Sequence, residues 1–145
     1  MTRFLIALLL SVSSISANAI TITVPTGLNP GDSYRLAFLT STTYVPTSTN
    51  IADYNDFVTG VANDVPELAL LGTTWTVIGS TATVDARDNT GTNPNDATGA
   101  PIYLLNDTKL ADSNSDLWDG TIDTAFQVNE LGNTVAPVNM WTGTG

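Results

Sequence analysis

The sequence predicts an α+β fold, because segments with the two-residue alternation of strands surround one helix with a three- to four-residue apolar repeat. The chain has 145 residues and contains neither cysteine nor histidine. A conventional hydrophobic core, rather than disulfides, must therefore stabilise the domain. The same composition excludes Ser-His-Asp and Cys-His nucleophile chemistry and zinc sites of the usual kind.

The predicted strands are bounded by Gly, Pro, Asn and Asp clusters that are typical of turns. The second of them carries apolar residues on both faces, as a central strand requires. The third is rich in β-branched residues and is interrupted at Gly79, so it is either one bent strand or two short ones. The predicted strands are Ile20–Val24, Tyr34–Leu39, Thr74–Val84, Pro101–Leu105 and Lys109–Ala111, the last two joined by a turn at Asn106-Asp107.

The clearest helix of the sequence begins at Ile51. Asn50 is placed to cap its first turn, and apolar residues recur along it at three- and four-residue spacing. Pro66 disfavours helical backbone in the residue before it, so the helix should end by about Asp64. We expect its apolar face to pack on the sheet that contains Phe38, because a lone amphipathic helix is marginal in water.

A second, short helix is predicted from Ser113 to Trp118. Asp112 is placed to cap this helix, and Gly120 is placed to end it. The remainder of the chain has a loop-like composition as far as the apolar segment at residues 140–142.

Residues 1–19 have the pattern of a secretory signal peptide. A basic start is followed by the apolar run Phe4–Leu10 and a small-residue exit at Ala17-Asn18-Ala19. The apolar run is shorter than the roughly 20 residues that span a bilayer. We therefore expect a secreted or cell-surface protein with one domain at residues 20–145.

The charge balance bears on the partners of the protein. The net charge is −10, and the acidic residues are interleaved with Thr, Asn and Gly in the manner of a solvated surface. Such a chain repels nucleic acid and anionic membranes, so we expect it to bind neither.

The loop at residues 85–99 is the most evident candidate site in the sequence. It has no apolar residue larger than alanine, and loops of this length in a small domain are often functional or mobile. Its carboxylate and amide oxygens are the ligand type that calcium prefers, although the spacing does not fit an EF-hand. The same residues also favour Asx turns, so a turn-rich loop without metal is the alternative. The candidate calcium ligands are Asp85, Asp88, Asn89 and Asp96.

A second candidate site lies on the short helix. Asp116 and Asp119 flank Trp118, which is an arrangement that a glycosidase or a sugar-binding site can use. The alternative interpretation is that the carboxylates cap and solvate the helix, and that the tryptophan anchors the core.

Seven segments between Tyr34 and Gly145 follow one another in an order found in a known family, namely Tyr34–Phe38, Ile51–Asn55, Thr74–Ile78, Ser80–Thr90, Pro101–Asp107, Leu117–Gly120 and Met140–Thr144. Their order resembles the endostatin-like branch of the C-type-lectin fold, and more closely a group of bacterial secreted proteins, many of which carry a PEP-CTERM sorting signal. The resemblance implies a twisted, mainly antiparallel sheet with one main helix and a short second helix. Many proteins of the bacterial group have no assigned activity.

The chain departs from this family in ways that limit what can be carried over. Zinc-binding histidines and an arginine-rich heparin face are missing. Asn93-Pro94-Asn95 is similar to the calcium-binding triplet of lectins but lies in a different part of the chain. The family continues beyond the strand that contains Trp141. We therefore expect an incomplete domain whose unpaired sheet edge favours self-association.

These observations predict a secreted, non-enzymatic module that interacts with an extracellular polysaccharide or a surface protein and needs no cofactor. A calcium-dependent carbohydrate-binding module is the first alternative. A hydrolase that uses carboxylates such as Asp116 and Asp119 is the second.

Overall fold

The computed structural model describes residues 20–22, 24–121 and 123–136. Within these residues the protein is a small α+β domain, as the sequence predicts, with one long helix and several short elements. The elements in chain order are β1 (Arg35–Ala37), α1 (Ile51–Asn63), α2 (Pro66–Ala69), α3 (Ala86–Asn89), β2 (Ile102–Leu104), β3 (Lys109–Ala111) and α4 (Asn114–Leu117). No helix in the described ranges is long and apolar enough to cross a membrane.

The three strands form one mixed sheet in the order β1-β2-β3. Strands β1 and β2 are parallel, with Leu36 opposite Tyr103, whereas β2 and β3 are antiparallel. The expectation of a mainly antiparallel sheet is therefore wrong. The physical reason is the long helical connection between β1 and β2, which permits the crossover that a parallel pair requires.

Strands β2 and β3 form the predicted hairpin. The turn contains Asp107, whose φ of 69° lies in the left-handed region that Asp and Asn tolerate better than other side chains. Its carboxylate accepts hydrogen bonds of 2.8 Å from the backbone N–H of Thr26 and of 2.5 Å from the Thr26 hydroxyl. These bonds, the side-chain one first, hold the pKa of Asp107 below its ordinary value. The hairpin turn is thus tied to the N-terminal segment.

Helix α1 confirms the predicted start, cap and end. The side chain of Asn50 accepts a hydrogen bond from Ala52 N at 3.2 Å, which satisfies one of the free N–H groups of the first turn. The helix ends at Asn63, and Pro66 then occupies the first turn of α2, where its missing N–H costs little.

The core lies between the end of α1, helix α2 and the sheet. Ala62 and Leu68 are fully buried on the helical side, and Leu104, Leu110 and Val128 are fully buried around the sheet. These residues are small or aliphatic, so they pack closely without a polar group that would need a partner.

The apolar face of α1 is buried less completely than the sequence predicts. Tyr54 is buried, but Ile51, Phe57 and Val58 are only half-buried, and so is Phe38 on the sheet side. An open cleft separates much of the helix face from β1. The expectation that this whole face packs on the sheet is therefore wrong.

Two predicted strands are not strands in the structure. The described residues of 20–24 and the whole of 74–84 lack regular strand pairing. The segment at 74–84 is bonded to helix side chains instead of to a neighbouring strand, a difference that β-propensity alone cannot reveal. The loop at 85–99 contains the short helix α3, and α4 is capped by Ser113 rather than by Asp112.

The last described segment runs back to the end of β1. Leu39 N donates to Val128 O at 2.8 Å, and Glu130 N donates to Leu39 O at 3.1 Å. The buried carboxylate of Glu130 accepts hydrogen bonds from the backbone N–H and the hydroxyl of Ser41, and this pairing offsets the cost of burying it. The predicted signal peptide and the predicted Trp141 strand lie outside the described residues.

Candidate functional site

A cleft of about 1050 Å³ lies beside helix α1 in the described structure. Helix α1 forms one wall, strand β1 and the residues that follow it form a second, and the extended segment at residues 73–80 forms a third. The apolar and aromatic side chains that line it are Tyr34, Leu36, Ala37, Phe38, Leu39, Tyr44, Pro46, Ile51, Tyr54, Phe57, Val58, Leu71, Trp75, Val77, Ile78, Ile102, Leu117, Phe126 and Val135. A cleft of this size and character is typical of a binding site.

Polar side chains of α1 position the extended wall of the cleft. Thr59 exchanges two hydrogen bonds with the backbone of Trp75, accepting from its N–H at 3.1 Å and donating to its carbonyl at 2.9 Å. One turn earlier, Asn55 Oδ1 accepts from Val77 N at 3.0 Å. The carbonyl of Val77 in turn accepts from Asn89 Nδ2 at 2.8 Å. These bonds take the place of a strand ladder, so the segment is extended without being part of a sheet.

Two groups of aromatic rings face the cleft. Tyr44 packs edge-on against Tyr54 at 5.6 Å between ring centroids, and it packs at a tilt against Phe57 at 4.9 Å. Across the cleft, Phe38 and Trp75 form a T-shaped pair at 4.9 Å. Edge-to-face geometry of this kind stabilises aromatic pairs and leaves other ring edges and faces available for a ligand.

The indole of Trp75 also provides an unused donor. Its Nε1 atom is buried and has no hydrogen-bond partner among the described residues. A buried N–H without an acceptor costs free energy, and a ligand with a carbonyl or hydroxyl oxygen could remove that cost. Trp75 lines the cleft, although this nitrogen atom itself is buried.

The described walls of the cleft carry few ionisable side chains. None of the described residues that line it is Asp, Glu or Lys, and the chain has no His or Cys. Arg35 is charged, but its guanidinium donates to the carbonyls of Thr90 and Gly91 at 3.0 and 2.9 Å. Tyrosine hydroxyls and the Arg35 guanidinium are therefore the ionisable groups of the described walls.

The predicted tryptophan of the short helix is bonded to the loop at residues 85–99. Trp118 is half-buried, its indole N–H donates to Thr92 Oγ1 at 2.9 Å, and the guanidinium of Arg87 lies 5.7 Å from its ring centroid. One face of this ring is thus already covered by a cation–π contact.

The two predicted carboxylates of that helix have different partners. Asp116 accepts from Asp112 N at 2.7 Å. Asp119 accepts from both the backbone N–H and the hydroxyl of Thr121 at 2.8 Å, and these bonds, the backbone one first, lower the pKa of Asp119. A general acid needs the opposite shift, so this geometry does not favour a glycosidase role for Asp119.

The predicted calcium ligands are distributed along α3 and the turn after it. Asp85 precedes the first turn of α3, and Asp96 is exposed. Asp88 accepts from Asn93 Nδ2 at 2.6 Å, and Asn89 is bonded to Asn55 in both directions at 2.9 Å. The amide of Asn89 therefore holds the cleft wall in place, a role that its position in an acidic loop does not indicate.

A different group of carboxylates converges in the described structure. Oxygen atoms of Asp112, Asp116 and Asp123 lie within 4.8 Å of one another, which is a donor set that suits a hard divalent cation. Asp112 also pairs with Lys109 at 2.6 Å on an exposed surface. Sequence reasoning missed Asp123 because nothing in a loop sequence indicates that it folds back beside α4.

Comparison with known proteins gives no relatives: no family profile, no curated protein and no solved structure matches the chain. The resemblance to the endostatin-like branch of the C-type-lectin fold therefore stays a prediction. Its implied function must be judged from the residues themselves.

Proposed function

We propose that this protein is an exported, non-enzymatic interaction module whose cleft binds an extended apolar segment of an extracellular or surface protein. The observation that carries the proposal is the aromatic cleft itself, which combines half-buried rings, an unpartnered indole N–H and no carboxylate. The apolar side chains of an extended segment can pack on the rings of the cleft. Its backbone carbonyls can accept a hydrogen bond from Trp75 Nε1.

The negative charge around the cleft determines which extended segments bind best. The chain carries a net charge of −10, and the exposed carboxylates of Asp53 and Asp56 lie on α1 beside the cleft-lining Tyr54 and Phe57. A ligand with basic ends is attracted to this rim, and one with acidic ends is repelled. The preferred ligand is therefore apolar in its centre and basic at its ends.

Titration with a synthetic peptide tests the proposal. An acetylated and amidated heptapeptide of sequence KVTVWTK should bind with a dissociation constant in the micromolar range. The acid-capped peptide EVTVWTE should bind at least about tenfold more weakly, and the difference should shrink in high salt because charge interactions are screened. Equal binding of the two peptides would contradict the role given to the acidic rim, and binding of neither would overturn the proposed function.

A pair of variants locates the binding. Phe57→Asp places a carboxylate in the apolar cleft, so the affinity for KVTVWTK should fall about tenfold or more because the charge must be desolvated. Leu70→Asp is the matched control, since Leu70 is 86% exposed and does not line the cleft. Circular dichroism and thermal melts establish that both variants fold. Equal affinity of the two variants would place the ligand elsewhere.

Carbohydrate binding is the second candidate, and the hydroxyl groups of the rim favour it. The run Thr40–Thr43 lines one side of the cleft, and Thr73, Thr74 and Thr76 line another, next to the ring of Trp75. Hydroxyl groups can hydrogen-bond to a sugar, and an aromatic ring beside them can pack against the sugar ring. A glycan array with calcium and with chelator tests this candidate, and glycan binding without peptide binding would replace the first proposal with it.

A further inference from the structure

We propose that Asn106 is an acceptor for an N-linked oligosaccharide, which is transferred to it from a lipid-pyrophosphate donor. Asn106, Asp107 and Thr108 form a triplet Asn-X-Thr in which X is not proline, and this is the acceptor motif for N-linked glycans in secreted proteins. The sequence contains no second Asn-X-Ser/Thr triplet. Transfer in the cell rests on the export that the proposed function includes, whereas the acceptor itself can be tested on the purified chain.

The first argument is the place of the triplet in the fold. Strand β2 ends at Leu104 and β3 begins at Lys109, so the triplet lies in the turn of the hairpin and belongs to neither strand. Asn106 and Asp107 are exposed, and Thr108 is half-buried. Turns of this kind lie on the surface, and an enzyme can therefore reach the Asn106 side chain without opening the sheet.

The second argument is the way in which the Asn106 amide is bonded. Its Oδ1 atom accepts from Thr108 N at 3.2 Å, which is the hydrogen bond of an Asx turn. Among the described residues, this is the hydrogen bond that the side chain makes, and the amide nitrogen takes no part in it. A sugar can therefore be joined to Nδ2 without breaking a described bond of the turn.

The third argument is that other groups hold the turn in place. Leu104 N donates to Thr108 O at 2.8 Å, and Asp107 N donates to Leu104 O at 3.1 Å. The carboxylate of Asp107 accepts from Thr26 N at 2.8 Å. None of these bonds involves the Asn106 amide nitrogen, so the glycosylated protein should keep its fold.

The transfer is a substitution at the anomeric carbon of the donor sugar. A bond forms between this carbon and Asn106 Nδ2, and the bond between the carbon and a pyrophosphate oxygen breaks. The lipid pyrophosphate leaves with the electron pair, and one Nδ2 proton passes to a base of the transferase. The chain supplies the acceptor amide, while the enzyme and the lipid-linked donor come from the exporting cell.

Transfer in vitro tests the inference on the purified, folded chain. The chain is incubated with an oligosaccharyltransferase and a lipid-linked oligosaccharide, and its intact mass is measured. It should gain the mass of one oligosaccharide, and peptide mapping should place the glycan on Asn106. The acetylated and amidated peptide LLNDTKL, which is residues 104–110, reports whether the triplet itself is recognised.

Substitutions at Thr108 give a matched pair. Thr108→Val removes the hydroxyl that the motif requires and should abolish the transfer, whereas Thr108→Ser keeps a hydroxyl and should retain it. Asn106→Gln, at an exposed position, should also abolish the transfer. Circular dichroism establishes that the variants fold, and the same substitutions in LLNDTKL give a readout that does not depend on folding.

The other outcomes would overturn the inference. A modified peptide with an unmodified chain would mean that the folded turn is closed to the enzyme. If neither is modified while an unrelated Asn-Ala-Thr peptide is, the triplet is not an acceptor. Undiminished transfer to Thr108→Val would mean that the motif does not direct it. Each of these results leaves the proposed function standing, because that function is measured by the binding of KVTVWTK.

Discussion

At the scale of single residues, Asn55 links helix α1 both to the cleft wall and to α3. Its side-chain oxygen accepts from Val77 N and from Asn89 Nδ2, and its own amide donates to Asn89 Oδ1 at 2.9 Å. One side chain of α1 therefore satisfies the backbone of the cleft wall and also an amide of α3. Such a network is valuable only while every member is paired.

Replacement of Asn55 should expose this dependence. Asn55→Ala leaves Val77 N and Asn89 Oδ1 without their partner, so the free energy of unfolding should fall by about 1–3 kcal/mol. Asp56→Ala, at the adjacent exposed position, should change it by less than about 0.5 kcal/mol. Urea unfolding measures both, and equal effects would mean that the network contributes nothing specific.

The Thr26 contact with Asp107 makes a prediction about pH. Because the folded-state pKa of Asp107 is lowered, the contact stabilises the protein above the ordinary carboxyl pKa and is lost as the pH falls through the lowered value. Thr26→Ala removes the larger cause, the hydroxyl bond, so the pKa of Asp107 should rise toward its ordinary value. Asp119 is the internal control, since its partner is Thr121. An NMR titration in which Asp107 does not move would contradict this assignment.

At the scale of elements, replacement of glycine by alanine should change the free energy of unfolding in opposite directions at Gly60 and Gly99. Gly60 lies inside α1 with open space around its Cα, so Gly60→Ala should raise the free energy of unfolding by about 0.5–1 kcal/mol. Gly99 has a φ of +77°, and a Cβ there would lie 2.0 Å from Oδ1 of the buried Asn114. Gly99→Ala should therefore lower the free energy of unfolding by about 1–3 kcal/mol. The same sign in both variants would contradict the backbone assignment of one of them.

The elements that were predictable from the sequence are those whose ends are set by neighbouring cap and turn residues. The cap at Asn50 and the stop before Pro66 bound α1, and the turn residues at Asn106-Asp107 bound the hairpin. The segment at 74–84 was not predictable, because its β-branched residues indicate extended backbone but not its partner. Its partner is the pair of polar side chains Asn55 and Thr59, which lie one turn apart on a helix distant in sequence.

At the scale of the whole molecule, the candidate site differs from both sites that the sequence suggests. The cleft forms where α1, β1 and the 73–80 segment meet, so it depends on tertiary placement rather than on any motif. The unpartnered N–H of Trp75 in the wall of this cleft was not predictable from the sequence. The acidic loop and the short helix carry visible patterns, yet Asp88, Asp116 and Asp119 are bonded to residues close to them in sequence. Asn89 and Trp118 instead join separate segments of the fold.

The indole N–H resonances of Trp75 and Trp118 test the central claim most directly, because one tryptophan lines the cleft and the other lies at the site suggested by the sequence. On titration of KVTVWTK into the isotope-labelled protein, the Trp75 signal should shift with saturation, since its free donor gains an acceptor. The Trp118 signal should remain in place, because its N–H is already bonded to Thr92. Movement of Trp118 with an unchanged Trp75 would contradict the account.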